Sequence, residues 1–248
     1  QSMTGYWDIH NHILPGVDDG SGSLQETLEL VKNEHDQGIR HIVFTPHYRR
    51  GMFEVAQEEK AVVFARVYET LAEQFPDMHF YLGCEYYADP HMMRRIGPDD
   101  SYRMPGGDAV LTEFGYEMKF GTLMNVVNAL RKEDIIPIMA HIERYQCLLK
   151  DMDLLAELKE AGAMLQINCD SVIGKSGFKA KRYCMKALEA GLIDFVASDA
   201  HNTGSRNVHM GEAIKTIRSK IGEDAAEKLF RINPERLFAG YEMHSSLS

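Results

Sequence analysis

Tyr6-Trp7-Asp8-Ile9-His10-Asn11-His12 is a short apolar run that closes on two imidazoles two residues apart. Near the other end, Ile193-Asp194-Phe195-Val196-Ala197-Ser198-Asp199-Ala200-His201 repeats the arrangement, with Asp199 and His201 as the pair. In extended backbone, residues i and i+2 project to the same side. Each pair can therefore face one point just past a strand end. Between them, Thr45-Pro46-His47, Cys84-Glu85, Thr112-Glu113 and Ala140-His141 each follow another strand-like run. Imidazoles and carboxylates at the ends of most strands are the pattern of a polynuclear metal site on the rim of a parallel barrel.

Outward from these runs, strand and helix patterns alternate. Residues 6–9, 41–44, 79–82, 109–112, 135–139, 164–167 and 193–197 read as strands. Ser23-Leu24-Gln25-Glu26 is a capping box. It opens a helix with Leu24, Leu28, Val31 and His35 on one face, stopped by Gly38. Further helices are expected over 57–75, 122–132, 154–161, 179–190, 212–220 and 224–230. Glu160-Ala161-Gly162 and Glu189-Ala190-Gly191 are one helix-end signal used twice. About seven βα units, with no GxGxxG after the first strand, predict a single α/β domain of barrel type. That domain is expected to span 6–240. Residues 1–5 read as a protease-site scar and loose N-terminus, with Met3 as the natural start, and 241–248 as a loose tail. Residues 48–55 and 86–107 are expected to be irregular and to lie on the site face.

The chain has 248 residues, 44% of them hydrophobic, and a formal charge of −10. That balance argues against nucleic acid, whose binders carry a basic stripe. No apolar run approaches the roughly 18 residues of a membrane span, and no signal segment precedes the first strand. A cytoplasmic protein without membrane insertion is expected. The four cysteines (Cys84, Cys147, Cys169, Cys184) form no C-x-x-C pair, and none has an arginine six residues downstream. Thiol-based phosphatase chemistry is thereby disfavoured. Cys84 and Cys169 are read as packing residues.

The candidate metal ligands are His10, His12, Asp19, His47, Glu85, Glu113, His141, Asp199 and His201. Asp18 competes with Asp19, which is preferred. Mixed imidazole and carboxylate donors without thiolate suit manganese, zinc or iron and argue against copper. Nine ligands, some bridging, would hold two or three ions. Arg144 and Arg206 follow His141 and His201 closely, and a guanidinium fork matches phosphoryl oxygens. Arg49 and Arg50, beside His47, are candidate substrate-binding residues. His35, His41, His79, His91, His209 and His244 are read as structural or surface residues.

In this order the motifs resemble the polymerase-and-histidinol-phosphatase (PHP) superfamily of phosphoesterases. Within it, the chain resembles the bacterial protein-tyrosine phosphatases of capsule and exopolysaccharide clusters. The resemblance rests on Asp8-Ile9-His10-Asn11-His12-Ile13-Leu14-Pro15-Gly16-Val17-Asp18-Asp19-Gly20, Thr45-Pro46-His47, Arg50-Gly51-Met52-Phe53 and Gly83-Cys84-Glu85. It continues in Leu111-Thr112-Glu113-Phe114, Ala140-His141-Ile142-Glu143-Arg144, and Ala197-Ser198-Asp199-Ala200-His201-Asn202 with Arg206. It implies a distorted (βα)7 barrel with three divalent ions, often manganese. His10, His12, Glu85 and Asp199 would hold one ion. Glu85 would bridge to a second held by Glu113 and His141, and Asp19, His47 and His201 would hold the third. Arg144 would be the catalytic arginine, Arg206 would lie beside the phosphate, and His201 is a candidate general acid. The implied reaction is hydrolysis of phosphotyrosine by a metal-bridging hydroxide. The implied substrate is the tail of a membrane-associated bacterial tyrosine kinase that controls polysaccharide export. A small-molecule phosphatase such as histidinol-phosphate phosphatase is the alternative within catalysis. A non-catalytic metal-binding interaction module is the alternative outside it.

Overall fold

A computed structural model describes residues 5–238 of the chain. The expected scar, apart from Gly5, and the expected tail at 241–248 lie outside the described residues. The strands are β1 (Tyr6–Asp8), β2 (Ile39–Phe44), β3 (His47–Tyr48), β4 (His79–Leu82), β5 (Glu85–Tyr87), β6 (Ala109–Glu113), β7 (Ile136–Met139), β8 (Met164–Asn168) and β9 (Phe195–Ala197). All pair in parallel, in the orders β1-β2-β4 and β3-β5-β6-β7-β8-β9.

β2 and β3 are halves of one strand broken at Thr45-Pro46, and β4 and β5 are halves of one broken at Gly83-Cys84. Pro46 has no N–H to give a ladder. A Cβ at Gly83 would lie 2.7 Å from Met104 Sδ, so any larger residue there would have to displace the buried Met104 side chain. Main-chain bonds cross both breaks, Gly83 N–H to Phe44 O at 2.7 Å and Glu85 N–H to Pro46 O at 3.1 Å. Counted as whole strands, the set is seven. The last seam is stitched by Asp199 N–H to His10 O (2.8 Å) and His12 N–H to Ala200 O (2.7 Å). The result is a distorted (βα)7 barrel in a single domain.

The helices are α1 (Leu24–Asp36), α2 (Gln57–Gln74), α3 (Met92–Ile96), α4 (Phe120–Lys132), α5 (Asp153–Glu160), α6 (Cys169–Val172), α7 (Phe178–Glu189), α8 (Met210–Lys220) and α9 (Glu223–Glu227). Alternate strand residues divide the core. Trp7, Ile9, Val43, Tyr81, Leu111, Ile138 and Phe195 fill an inner cluster. Ile42, Phe44, Val110, Leu165 and Val196 pack in the larger cluster that the helices cover. Among the described residues, no helix is long and apolar enough to cross a membrane.

Two expectations need correction. Ser23 caps α1 by accepting from Glu26 N–H at 3.1 Å, and Glu26 Oε1 accepts from Gly22 N–H. The buried face, however, is Thr27, Leu30, Val31 and Glu34, while Leu24 is 43% exposed and His35 pairs with Asp77 at the surface. Thr27 causes the rotation: its hydroxyl donates to Ile13 O at 2.7 Å and bonds Ser21 Oγ, tying the helix to the loop after β1. Leu30→Ala should therefore cost about 2–5 kcal/mol, and Leu24→Ala within about 0.5 kcal/mol of nothing. Denaturant unfolding of both variants checks this, and the reverse ranking would contradict it. Second, 86–107 is not irregular. It holds most of β5, all of α3 and a one-turn helix, clasped by the Arg103 guanidinium, which donates to Ile96 O, Gly97 O and Gly107 O.

Candidate metal centre

Eight of the nine candidate ligands lie at or just past a strand end. His10 and His12 follow β1, His47 opens β3, Glu85 opens β5, Glu113 ends β6, His141 follows β7, and Asp199 and His201 follow β9. Asp19 comes from the loop between β1 and α1. Apart from Asp19, all are buried. Glu85 is the centre. Its Oε1 lies 3.1 Å from His12 Nε2 and 3.2 Å from His47 Nδ1; its Oε2 lies 3.2 Å from His10 Nε2 and 3.1 Å from His141 Nε2. Asp199 Oδ1 faces His10 and His12 at 3.4 and 3.3 Å. Asp19 Oδ1 faces His47 at 3.5 Å and His201 at 3.4 Å. Glu113 Oε2 is 3.1 Å from His141 Nε2.

These atoms form overlapping groups able to hold a cation. The groups are His10, His12, Glu85 and Asp199; His12, Asp19, His47 and His201; and His47, Glu85 and Glu113. His10 Nε2, His12 Nε2, His47 Nδ1, His201 Nε2 and both Glu85 oxygens are buried without a hydrogen-bond partner. Buried polar atoms left unpaired are costly, and so many facing one another fit divalent ions.

The histidines are set in the ligand tautomer from behind. Gln166 Oε1 accepts from the His141 main-chain N–H at 2.8 Å, which fixes the amide orientation. The same oxygen then receives the His10 Nδ1 proton at 2.8 Å, leaving His10 Nε2 as a bare lone pair. Asp18 Oδ2 does this for His12 Nδ1 at 2.7 Å and also accepts from His47 N–H. Asp18 therefore backs the cluster while Asp19 faces it. His201 Nδ1 donates to Asp199 O at 2.8 Å. Such backing contacts orient metal ligands, and their loss costs about 10–100-fold in affinity. Gln166→Leu should weaken metal binding by about that factor while the fold survives. Metal titration followed by calorimetry checks it, and unchanged affinity would contradict it.

Charge follows the same geometry. Against the penalty of burial, His10 and His47 hold the Glu85 carboxyl well below its ordinary range. Burial likewise opposes, but Glu113 and Glu85 outweigh it and push His141 up to about 9. His12 is raised well, burial being overcome by Asp18. An imidazole so raised takes up a second proton in the metal-free protein at neutral pH, on the nitrogen that faces the cluster, and cation binding must displace it and restore the lone pair. Loading the metal-free protein at pH 7.5 should release protons into a weakly buffered solution; uptake, or no release, would contradict this.

Backbone strain also marks the site. His141 (φ 32°) and Asp199 (φ 48°) are two of the three non-glycine residues at positive φ among those described. Such conformations cost about 1–3 kcal/mol each and cluster at functional sites. Asp199 Oδ2, turned away from the imidazoles, collects Arg206 Nη2 (3.2 Å), Arg144 Nη2 (3.4 Å) and Asn168 Nδ2 (3.0 Å). Arg144 also donates to Tyr116 Oη at 3.3 Å. A cavity of about 190 Å³ is walled by the candidate ligands other than His10 and His12, together with Arg49, Arg144, Arg206, Phe53 and Tyr116. It shares Arg49, Glu113 and Tyr116 with an adjoining groove of about 750 Å³. Arg50 is not brought to this cavity; it faces α3.

The family model for capsular polysaccharide synthesis, CpsB/CapC, matches residues 6–239. The chain belongs to the CpsB/CapC family. It is 33% identical over 235 residues to the tyrosine-protein phosphatase CpsB of Streptococcus pneumoniae, covering 93% of this chain and 97% of that protein. It is 30% identical to the tyrosine-protein phosphatase YwqE of Bacillus subtilis over 217 residues, covering 88% and 85%. A chain from the crystal structures of YwqE from Bacillus subtilis and CpsB from Streptococcus pneumoniae, described as metal-dependent tyrosine phosphatases, matches with a TM-score of 0.81 at 29% identity over 89% of each chain. The phosphotriesterase homology protein of Escherichia coli shares the fold, with a TM-score of 0.65 at 14% identity over 96% of this chain and 100% of that one.

Sequence reasoning missed Gln166, Asn168, Asp18 as a backing residue, and Tyr116. Gln166 had a signal: a polar residue inside the apolar run Met164-Leu165-Gln166-Ile167-Asn168 of a strand covered on both faces. Tyr116 had none.

Proposed function

We propose that this CpsB/CapC chain is a metal-dependent protein-tyrosine phosphatase. The observation that carries the reading is the convergence of unpaired ligand atoms and two guanidiniums on one small cavity with aromatic walls. We assign His10, His12, Glu85 and Asp199 to one ion. Glu85, Glu113 and His141 take a second, and Asp19, His47 and His201 a third. Manganese is the proposed ion, with iron or zinc as alternatives. Bound ions would supply a nucleophilic water near neutral pH and neutralise phosphoryl charge.

The chain's own residues supply the remainder. Arg144 and Arg206 exchange Asp199 Oδ2 for the phosphoryl oxygens, donating where charge grows in the transition state. Tyr116 holds Arg144 in place. Phe53, stacked on His47 with ring centroids 4.8 Å apart, and Tyr116 flank the substrate's ring. Tyrosine leaves as a phenolate, with a pKa of about 10, so it needs little protonation. His201 belongs first to the ligand set and second to proton delivery at the leaving oxygen. The proposed substrate is a phosphotyrosine segment of a membrane-associated bacterial tyrosine kinase in capsule synthesis, met in the cytoplasm. The open groove beside the cavity favours a polypeptide over histidinol phosphate, and the two arginines argue against a purely structural metal module.

The Cys84 thiol is buried, which pushes its pKa up to about 11, so it is no nucleophile. Phosphate release from a phosphotyrosine peptide should vanish on chelation, return with manganese, and persist in Cys84→Ser. Chelator-resistant turnover, or turnover lost with that thiol, would sink the reading.

A further inference from the structure

We propose that Arg50, His91, Arg94 and Arg95 form a second phosphate-binding site, which holds a further phosphoryl group on the same substrate polypeptide. The proposal rests on the phosphatase reading above and deepens it. These four residues line a cavity of about 420 Å³ separate from the ligand cluster. All four are exposed, and among the described residues none forms an ion pair with a carboxylate. The nearest acid in sequence, Asp89, is used locally, its Oδ1 accepting from the His91 main-chain N–H at 2.7 Å. Three guanidiniums together without a carboxylate partner are unexpected in a chain of charge −10. They repel one another until an anion arrives, and clustered arginines are how phosphorylated segments are recognised.

One guanidinium is already oriented. Arg95 lies 4.7 Å above the Tyr48 ring and 5.7 Å from that of Tyr102. Stacking on an aromatic face fixes the plane of the fork. Tyr48 is also the link to the catalytic cavity. The segment 47–50 carries His47 into the ligand cluster, Tyr48 under Arg95, Arg49 into the catalytic cavity's wall, and Arg50 into the second cavity. Arg49 is itself held, 4.0 Å over the Tyr87 ring. Extended backbone rises about 3.3 Å per residue, so His47 and Arg50 are at most about 10 Å apart along it. A second phosphate about two to four residues from the reacting phosphotyrosine can reach the patch. A phosphate monoester carries about −1.5 to −2 charge, which suits several guanidiniums better than one carboxylate does.

The test uses manganese-loaded protein and three peptides: one phosphotyrosine alone, the same with a second phosphotyrosine three residues away, and the same with glutamate there. The second phosphate should lower KM about tenfold at low salt with kcat unchanged, and the gain should shrink as salt rises. Arg94→Glu, whose side chain holds no other described group, should erase the gain while turnover of p-nitrophenyl phosphate stays intact; Arg95→Glu should do the same. Affinity for non-hydrolysable difluorophosphonate versions of the peptides reads the patch without turnover, so its failure is distinguishable from failure of the phosphatase reading. No gain from the second phosphate, or a gain that survives Arg94→Glu, would overturn the site. An equal gain from glutamate would overturn its assignment to phosphate.

Discussion

Replacing Glu85 with glutamine is expected to abolish turnover and strip the site of metal. Among the described residues, Glu85 is the one carboxylate that faces four imidazoles, His10, His12, His47 and His141, within 3.2 Å. It is a ligand of two of the three proposed ion positions and lies against His47 of the third, so its loss removes a donor from two positions and a neighbouring charge from the other. Metal ions supply several kcal/mol of transition-state stabilisation in such sites, and each 1.36 kcal/mol is tenfold in rate. A fall in kcat of about a thousandfold or more follows from those magnitudes. It should come with reduced metal content by elemental analysis and retained far-UV circular dichroism. Full metal content with normal turnover would show that the cluster is not the reaction centre.

Arg144→Ala is expected to behave differently. The guanidinium touches Asp199 Oδ2 and Tyr116, not the atoms that converge on Glu85. Metal content should therefore stay near that of the parent protein, while kcat falls about 100- to 1,000-fold, the usual loss for one preorganised donor to a developing charge. Arg144→Lys should rescue little, since an ammonium cannot present the planar fork. Loss of metal in Arg144→Ala would move this residue from phosphate binding to support of Asp199.

Much of this arrangement was legible in the chain. A short apolar strand followed by paired ligand-type residues is a local signal, and parallel pairing gathers such strand ends at one rim. The pattern thus indicated both the barrel and which residues meet. Four things were hidden for physical reasons. The face of α1 was set by one tertiary hydrogen bond, Thr27 Oγ1 to Ile13 O, which overrides hydrophobic spacing. The breaks that split two strands into β2/β3 and β4/β5 leave fragments of two and three residues, too short to carry a period. The backing residues Gln166 and Asp18 act through side-chain bonds to partners 156 and 6 positions away, and only the fold pairs the first of these. Likewise, Arg50 was grouped with Arg49 by adjacency, yet the turn bridged by Arg49 and Phe53 sends the two into different cavities.

The most direct measurement is phosphate release from a phosphotyrosine peptide, a phosphoserine peptide and histidinol phosphate, compared side by side with manganese and with a chelator. Release from phosphotyrosine in strong preference to the other two, abolished by the chelator, is the expected result. Release chiefly from histidinol phosphate would keep the metal centre and contradict the protein-phosphatase account. No release from any substrate by fully metal-loaded protein would contradict catalysis at the cluster altogether.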